Sequence, residues 1–310
     1  MILDHANERS LHHDPTPRGG GIGIAVPVSL GLFFLSGAPG PWAVAGIWMA
    51  GAGAIVASAG LVDDILTLPA VPRLVVQLFA AWLLTQGIGE WRLLTWPGLF
   101  TVDLGQAAPV VTVLLLVGLT NAYNFMDGVD GIAGTQGILA GAGWVGIGYA
   151  MQEPALASIG AILATTSLGF LLFNWPPASI FMGDVGSCFL GFVLAALTIH
   201  VATRSPVAAT AGLLCVWPFI FDTAFTLVNR MRRRENVLRA HRSHLYQRLV
   251  LSGSSHQSVT VLYGALAAAG AAVGNAMVRE SAPAAIAGAV LIAMLACGLW
   301  WVVVLQERRA

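Results

Sequence analysis

The chain has 310 residues, 57% of them hydrophobic and only 10% charged, with a mean hydropathy of +0.78 and a formal net charge of zero. This composition excludes an ordinary soluble domain, and the lack of a basic excess excludes a general nucleic-acid surface. It predicts an all-α, polytopic integral membrane helix bundle forming one domain over residues 1–310, because each bilayer crossing needs about 20 mostly apolar residues and the runs here are long rather than alternating.

The opening MILDHANERSLHHD is polar from its fourth residue and lacks the regions of a secretory signal, so the chain is expected to start on one side of the membrane and to enter it at Gly21. About ten candidate spans follow, at 22–37, 42–62, 73–89, 107–124, 132–150, 155–173, 185–202, 206–228, 257–278 and 283–305. Placing Met1 in the cytoplasm puts twelve arginines in inner loops: Arg9, Arg18, Arg73, Arg230, Arg232, Arg233, Arg234, Arg239, Arg242, Arg248, Arg308 and Arg309. Only Arg92, Arg204 and Arg279 then lie outside, which fixes the expected orientation. There is no lysine; an all-arginine set suits bidentate grip on phosphate and equally reflects the codon usage of a high-GC genome. The longest outer connection, EWRLLTWPGLFTVDLG at 90–105, reads as interface tryptophans or a small hairpin. Cys188, Cys215 and Cys297 sit in apolar runs without metal-ligand or disulfide spacing and read as packing residues.

With this topology every polar motif falls on the cytoplasmic face. PTPRGGG at 15–21 sets Arg18 before three glycines, a turn whose backbone can approach a ligand. Asp63 and Asp64 are adjacent carboxylates at the end of an apolar helix, where ionisation needs a cation or donors in compensation; a metal and a proton relay are both compatible with the pair. In LLLVGLTNAYNFMDGVDGIAG at 114–134, Asn121, Asn124, Asp127 and Asp130 recur every third residue and share about one helical face, with Gly128 and Gly131 after the carboxylates. In SIFMGDVGS at 179–187, Asp184 opens a span, where it can cap the helix or serve a ligand; Phe181 can stack on a base or anchor the chain at the interface. The oxygen donors Asp63, Asp64, Asn124, Asp127 and Asp184, with no thiolate among them, are the kind that Mg²⁺ or Mn²⁺ prefers. RMRRRENVLRAHRSHLYQRL at 230–249 divides into Arg230–Arg234, read as an anionic-lipid anchor, and a segment from Arg239 through His241, Arg242, His244 and Arg248 able to surround a diphosphate. Together these groups describe phosphoryl chemistry at a membrane surface.

Five ordered motifs, PTPRGGG, LVDDILTLPAVPRLVVQ (61–77), NAYNFMDGVDGIAG (121–134), NWPPASIFMGDVGS (174–187) and HRSHLYQRL (241–249), make the chain resemble the polyprenyl-phosphate N-acetylhexosamine-1-phosphate transferases, glycosyltransferase family 4, over nearly its whole length. The wording of the first and last motifs is nearer the O-antigen-initiating branch than the peptidoglycan translocase, whose last loop has a triple-histidine run. The resemblance implies transfer of a sugar 1-phosphate from a UDP-N-acetylhexosamine to undecaprenyl phosphate, releasing UMP, at a bacterial inner membrane. It further implies that Asp184 and Asn124 bind Mg²⁺, with Mn²⁺ as a substitute, and that Asp127 and Asp130 lie at the nucleotide side with Phe181 near the uracil. Asp63 and Asp64 would sit by the lipid phosphate, and His241, Arg242 and His244 by the diphosphate and sugar. Arg18, Asn121 and Asn174 complete the expected substrate-binding set, Asp63, Asp64 and Asp127 the catalytic one. Expected partners are the nucleotide sugar, the polyprenyl phosphate and membrane lipids, with a homodimer as an option and no nucleic acid. Family members usually carry a span before the segment corresponding to residues 3–21, and its lack is expected to expose an apolar groove. The rival readings are a transporter with intramembrane carboxylates, an inactive lipid-binding family member, and a CDP-alcohol phosphatidyltransferase, whose Ala-Arg pair after Asp-Gly and further spaced aspartates GIAGTQGILAGAGW lacks.

Overall fold

The computed structural model describes residues 2–4, 16–37, 40, 42–236, 241–279 and 282–309. All ten expected segments are helical. They are α1 (Ile22–Leu35), α2 (Trp42–Leu66), α3 (Ala70–Ile88), α4 (Ala108–Met126), α5 (Ile132–Ala150), α6 (Pro154–Asn174), α7 (Asp184–Ala202), the pair α8 (Pro206–Leu214) and α9 (Trp217–Arg232), α11 (His256–Arg279) and α12 (Ala282–Glu307), with a short α10 (Leu245–Leu251) between the last groups. Among the described residues seven helices are long and apolar enough to cross a membrane, or eight if α8 and α9 count as one broken crossing. The differences from ten have local causes. At 14 residues α1 is short for a full crossing. Helix α5 contains six glycines, which dilute its apolar character, and packs against α6 and α11. The expected span at 206–228 is bent by 76° between α8 and α9, where Pro218 lies in the first turn of α9 and disfavours a continuous helix through the residues before it.

At the centre stands α7, in which every residue from Val185 to Ala202 is buried. A helix apolar on all sides must be wholly enclosed or face lipid, and here α1, α2, α3, α4, α5 and α8 all contact it. The outer helices show the lipid-facing alternative. Val71, Leu74, Val75, Leu78, Phe79 and Trp82 form an exposed stripe on α3, and α12 points Val290, Met294 and Trp301 outward, along with the exposed Cys297. Cys188 and Cys215 are buried packing residues.

The segment at 90–105 forms a hairpin of β3 (Leu93–Trp96) and β4 (Phe100–Asp103). Its tryptophans hold it to the bundle rather than only marking an interface: Trp91 is buried, and the Trp96 indole donates to the Ala285 carbonyl at 2.8 Å. A second two-stranded ribbon pairs β1 (Ile2–Asp4) with β2 (Thr16–Arg18). At the same end as the β3–β4 hairpin, the isolated His200 is buried with its ring 4.5 Å from that of Trp42, beside an Arg204–Glu153 ion pair.

Helices α5 and α6 meet backbone to backbone. A Cβ on Gly141 would lie 2.5 Å from the Ala164 nitrogen, and one on Gly160 2.7 Å from the Val145 nitrogen, so only hydrogen fits at this crossing. Gly141→Val is therefore expected to lower the stability of the detergent-solubilised protein by about 1–3 kcal/mol through overpacking. A thermal or denaturant midpoint equal to that of the unsubstituted protein would contradict the close crossing.

Candidate active site

The N-terminus of α7 is the meeting point of the motifs. Gly183, with φ of +76°, turns the chain into the helix, and a Cβ there would come within 2.5 Å of the Asp64 carboxylate. Asp64 reaches across from the last turn of α2 and accepts from the backbone N–H groups of Asp184 (2.9 Å) and Val185 (3.1 Å). It thus satisfies two donors that no intrahelical carbonyl can reach, and its negative charge complements the helix dipole. Its neighbour Asp63 accepts from the Leu68 N–H at 2.5 Å and from Arg73 Nη1 at 2.8 Å. The same Arg73 nitrogen donates to Asp184 at 2.9 Å, so one guanidinium from α3 joins carboxylates of α2 and α7. Asn124 on α4 completes the group by donating to Asp184 Oδ1 (2.9 Å) and Ser187 Oγ (3.0 Å). Arg18 stands 4.0 Å from Asp64. It is held there because residues 17–21 run alongside the loop before α7, with Phe181 N–H donating to the Pro17 carbonyl and the Gly20 and Gly21 N–H groups donating to Phe181 and Met182.

Asp127 follows the end of α4. Among the described residues its carboxyl group has no hydrogen-bond partner, and burial, followed by the charges of Asp184 and Asp64, pushes it up to about 7. Asp130 turns toward the loop before α7, accepting from the Ala178 N–H at 3.1 Å and lying 3.4 Å from His256 Nδ1.

The histidine segment is organised by a residue outside the expected set. Asp222, fully buried on α9, accepts from the N–H groups of Leu245 (2.8 Å) and Tyr246 (3.1 Å), from the Tyr263 hydroxyl (2.6 Å) and from Thr226 (3.2 Å), and lies 3.3 Å from His244 Nδ1. The Tyr246 hydroxyl then donates to the Phe125 carbonyl at 2.9 Å, and a Cβ on Gly128 would meet that hydroxyl at 2.2 Å. This docks the segment against the loop that carries Asp127. His244 is buried with its ring 4.9 Å from that of His241. Burial, then His244 and Arg230, lowers His241 to about 4, so its imidazole is neutral at pH 7.

The structure therefore gathers Arg18, Asp63, Asp64, Asn124 and Asp184 into one contact network, with Asp127 beside them, Asp130 and Phe181 on the adjoining loops, and His241, Arg242 and His244 on the segment that packs against the Asp127 loop. Two expected binding residues are engaged elsewhere. Asn121 donates to buried Gln77 of α3 at 2.5 Å and to the Val117 carbonyl, and Asn174 accepts from the Gly131 N–H while donating to the Ile180 carbonyl, so each clamps local structure. Arg248 forms a bidentate pair with Glu307 of α12 at 2.7 Å instead of joining the histidines, and Arg230 is buried and folds the loop through Glu235 and the Asn236 carbonyl instead of facing lipid. Arg239 lies outside the described residues. Arg73, read only for its charge, and Asp222, read only as one of the polar groups on the cytoplasmic face, are the residues that the sequence reading left out of its catalytic and binding sets. Arg73 sits inside the 61–77 motif ten residues from Asp63, and an arginine so close to an acidic pair at a membrane surface is the signal that marks it.

The profile of glycosyl transferase family 4 matches residues 45–202, from the start of α2 to the end of α7. This stretch carries Asp63, Asp64, Arg73, Asn124, Asp127 and Asp184. The chain belongs to glycosyl transferase family 4. Relatives with related names match further. The probable undecaprenyl-phosphate N-acetylglucosaminyl 1-phosphate transferase of Bacillus subtilis is 30% identical over 84% of this chain and 73% of its own length. The decaprenyl-phosphate N-acetylglucosaminephosphotransferase of Mycobacterium tuberculosis is 31% identical over 94% and 80%. A phospho-N-acetylmuramoyl-pentapeptide-transferase of Synechococcus elongatus is 36% identical, over 64% of this chain and 57% of its own. In this family 4 chain the histidine segment lies beyond the matched profile, so its place beside the carboxylates comes from the fold.

Among the described residues no three His, Cys, Asp or Glu side chains are grouped as a ready-made metal cage. The carboxylates of Asp63, Asp64 and Asp184 are oxygen donors of the type hard divalent cations take, with Arg73 holding two of them together and the Asn124 amide nitrogen donating to Asp184.

Asp127 gives this site a pH signature. Its folded-state value is raised, so the folded protein holds a proton that the unfolded chain releases near pH 4, and the stability contributed by Asp127 falls as pH rises from about 4 to about 7. His241, lowered, acts in the opposite sense between about 4 and 6.5, so the comparison is between proteins that share it. In chelator, Asp127→Asn is expected to become steadily more stable relative to the unsubstituted protein over pH 4–7 and to hold a constant advantage above that. Parallel melting curves across the range would contradict the burial of this carboxyl group.

Proposed function

We propose that the chain is a polyprenyl-phosphate N-acetylhexosamine-1-phosphate transferase. It would use a UDP-N-acetylhexosamine and undecaprenyl phosphate to start synthesis of a cell-envelope polysaccharide such as O-antigen. The observation that carries this reading is the convergence of Asp63, Asp64, Arg73, Asn124 and Asp184 on the N-terminus of one buried helix, inside the segment that matches the family. The names of the more fully covered relatives favour an N-acetylglucosamine 1-phosphate over a muramoyl-pentapeptide donor, because the N-acetylglucosaminyl enzymes align over 83–94% of this chain and the muramoyl enzyme of Synechococcus elongatus over 64%. Against a transporter, the carboxylates stand at helix ends and not at mid-span: Asp63 and Asp64 in the last turn of α2, Asp127 after α4, Asp184 first in α7. The bulk of the arginines lie in loops on this same side, which supports a cytoplasmic site in a bacterial inner membrane.

In the reaction, an oxygen of the lipid phosphate attacks the β-phosphorus of the nucleotide sugar. The new P–O bond forms as the bond between the β-phosphorus and the bridging oxygen breaks, and UMP leaves with that electron pair. Asp184 and Asn124 would hold Mg²⁺ or Mn²⁺, which when bound neutralises diphosphate charge and stabilises the leaving group. Arg73 and Arg18 bring positive charge to the carboxylate cluster, where Arg73 can exchange a carboxylate for an incoming phosphate oxygen with the same charge-assisted geometry. In this reading Asp63 or Asp64 lies near the acceptor phosphate and takes its proton, and the attack is direct and not through a covalent phosphoryl-enzyme. Asp127 and Asp130 belong to the nucleotide side with Phe181, and neutral His241 with His244 and Arg242 faces the diphosphate and sugar.

The test is purified protein with undecaprenyl phosphate, Mg²⁺ and a panel of UDP-N-acetylhexosamines, scored for UMP release and for the diphosphate-linked lipid. Asp63→Asn and Asp184→Ala are expected to abolish turnover, and Arg73→Ala to reduce kcat/KM by two orders of magnitude or more, about 3 kcal/mol of transition-state stabilisation. Normal, Mg²⁺-responsive turnover by Asp184→Ala would overturn the metal assignment, and no UMP from any donor would overturn the reaction.

A further inference from the structure

The carboxylate with the most donors lies away from the family's aspartate cluster. Asp222 is fully buried, and its two oxygens face five donors drawn from three elements: Thr226 of its own helix, the N–H groups of Leu245 and Tyr246 with the His244 ring in the segment before and into α10, and the Tyr263 hydroxyl of α11. Such a buried ion is costly unless its lone pairs are met, and here they are, so the local backbone must hold the geometry that meets them. Next in the chain of contacts is Tyr246. Its N–H is fixed by Asp222 and its hydroxyl, kept protonated because burial raises it well above the ordinary phenol range, donates to the Phe125 carbonyl two residues before Asp127. Gly128, immediately after Asp127, leaves room for that hydroxyl and nothing more. Phe125 also lies 6.1 Å from the His244 ring, centroid to centroid.

We infer that Asp222 is a positioning residue that sets the distance between the histidine segment and the Asp127 loop, acting through His244 and Tyr246 and not on the substrate itself. The transferred group would lie between those two segments, so a shift of about 1 Å in either costs on the order of 100-fold in rate. Neutral isosteres cannot replace the carboxylate. An asparagine amide has one acceptor oxygen and an NH₂ group; the Thr226 and Tyr263 hydroxyls can turn to accept from it, but whichever way the amide faces, the backbone N–H of Leu245 or of Tyr246 is left donor against donor.

The inference rests on the proposed transfer reaction, and two readouts separate the two. In Asp222→Asn, kcat/KM for the nucleotide sugar is expected to fall about 100-fold while KM for undecaprenyl phosphate stays within twofold. Independently of turnover, diethylpyrocarbonate modification of His244, mapped by mass spectrometry, should rise several-fold while that of buried His200 does not change. Tyr246→Phe, which removes only the bond to the Phe125 carbonyl, should lower kcat/KM with no more than a small drop in melting midpoint, and the double variant should lose much less than the product of the two. If Asp222→Asn does not fold, Tyr246→Phe decides alone, and its unchanged turnover overturns the inference. Equal turnover in Asp222→Asn, or His244 as protected as before, overturns it also. An unsubstituted protein that releases no UMP refutes the reaction, and His244 mapping then judges the positioning by itself.

Discussion

The bond from Asp64 to the amides of Asp184 and Val185 is the contact on which the rest of the site depends. Helix α7 is buried from Val185 onward, and its first N–H groups receive a carboxylate from a different helix in place of a cap of its own. That cross-helix cap fixes the depth of α7 relative to α2, and with it where Asp184 meets Arg73, where Asn124 reaches it, and where residues 17–21 meet the loop at 180–182. Gly183 is the local requirement, since any side chain at its left-handed φ would drive into the Asp64 carboxylate.

From that anchor the site divides into two halves of different character. One half is ionic: one cation, Arg73, between carboxylates from α2 and α7, with Arg18 close by, so like charges at short range are compensated from outside their own helices. The other half is a hydrogen-bonded scaffold around Asp222 that presents imidazoles. Asp127 lies between them, half-buried and without a hydrogen bond of its own among the described residues, and its carboxyl group is pushed up to about 7.

Sequence reasoning reached the acidic motifs and the helix positions because those signals are local: a long apolar run, a carboxylate pair at its end, an aspartate opening the next. It expected Asp63, Asp64, Asn124 and Asp184 to lie together, and in the fold they share one contact network. It passed over Arg73, whose two partners lie 10 and 111 residues away, and which counted only as a topology charge. Arg248 misled for the same reason, its partner Glu307 being 59 residues on. Asn121 and Asn174 shared the periodicity or motif of the residues gathered at the start of α7, yet period alone does not say whether an amide faces a cleft or a neighbouring helix. The break between α8 and α9 was legible in principle, from Pro218, but an uninterrupted apolar composition through CVWPFIF concealed it.

The total enclosure of α7 has a mechanical consequence. Hydrophobic mismatch acts on surfaces that touch acyl chains, and when bilayer thickness varies the accommodation comes from tilting such surfaces. Among the described helices α3 and α12 expose the long lipid-facing stripes, whereas the axis bearing Asp184 touches none. Thickness fluctuations are therefore absorbed at the periphery, and the tip of the central axis keeps its height relative to the headgroup plane, where an acceptor carried by the lipid must be met.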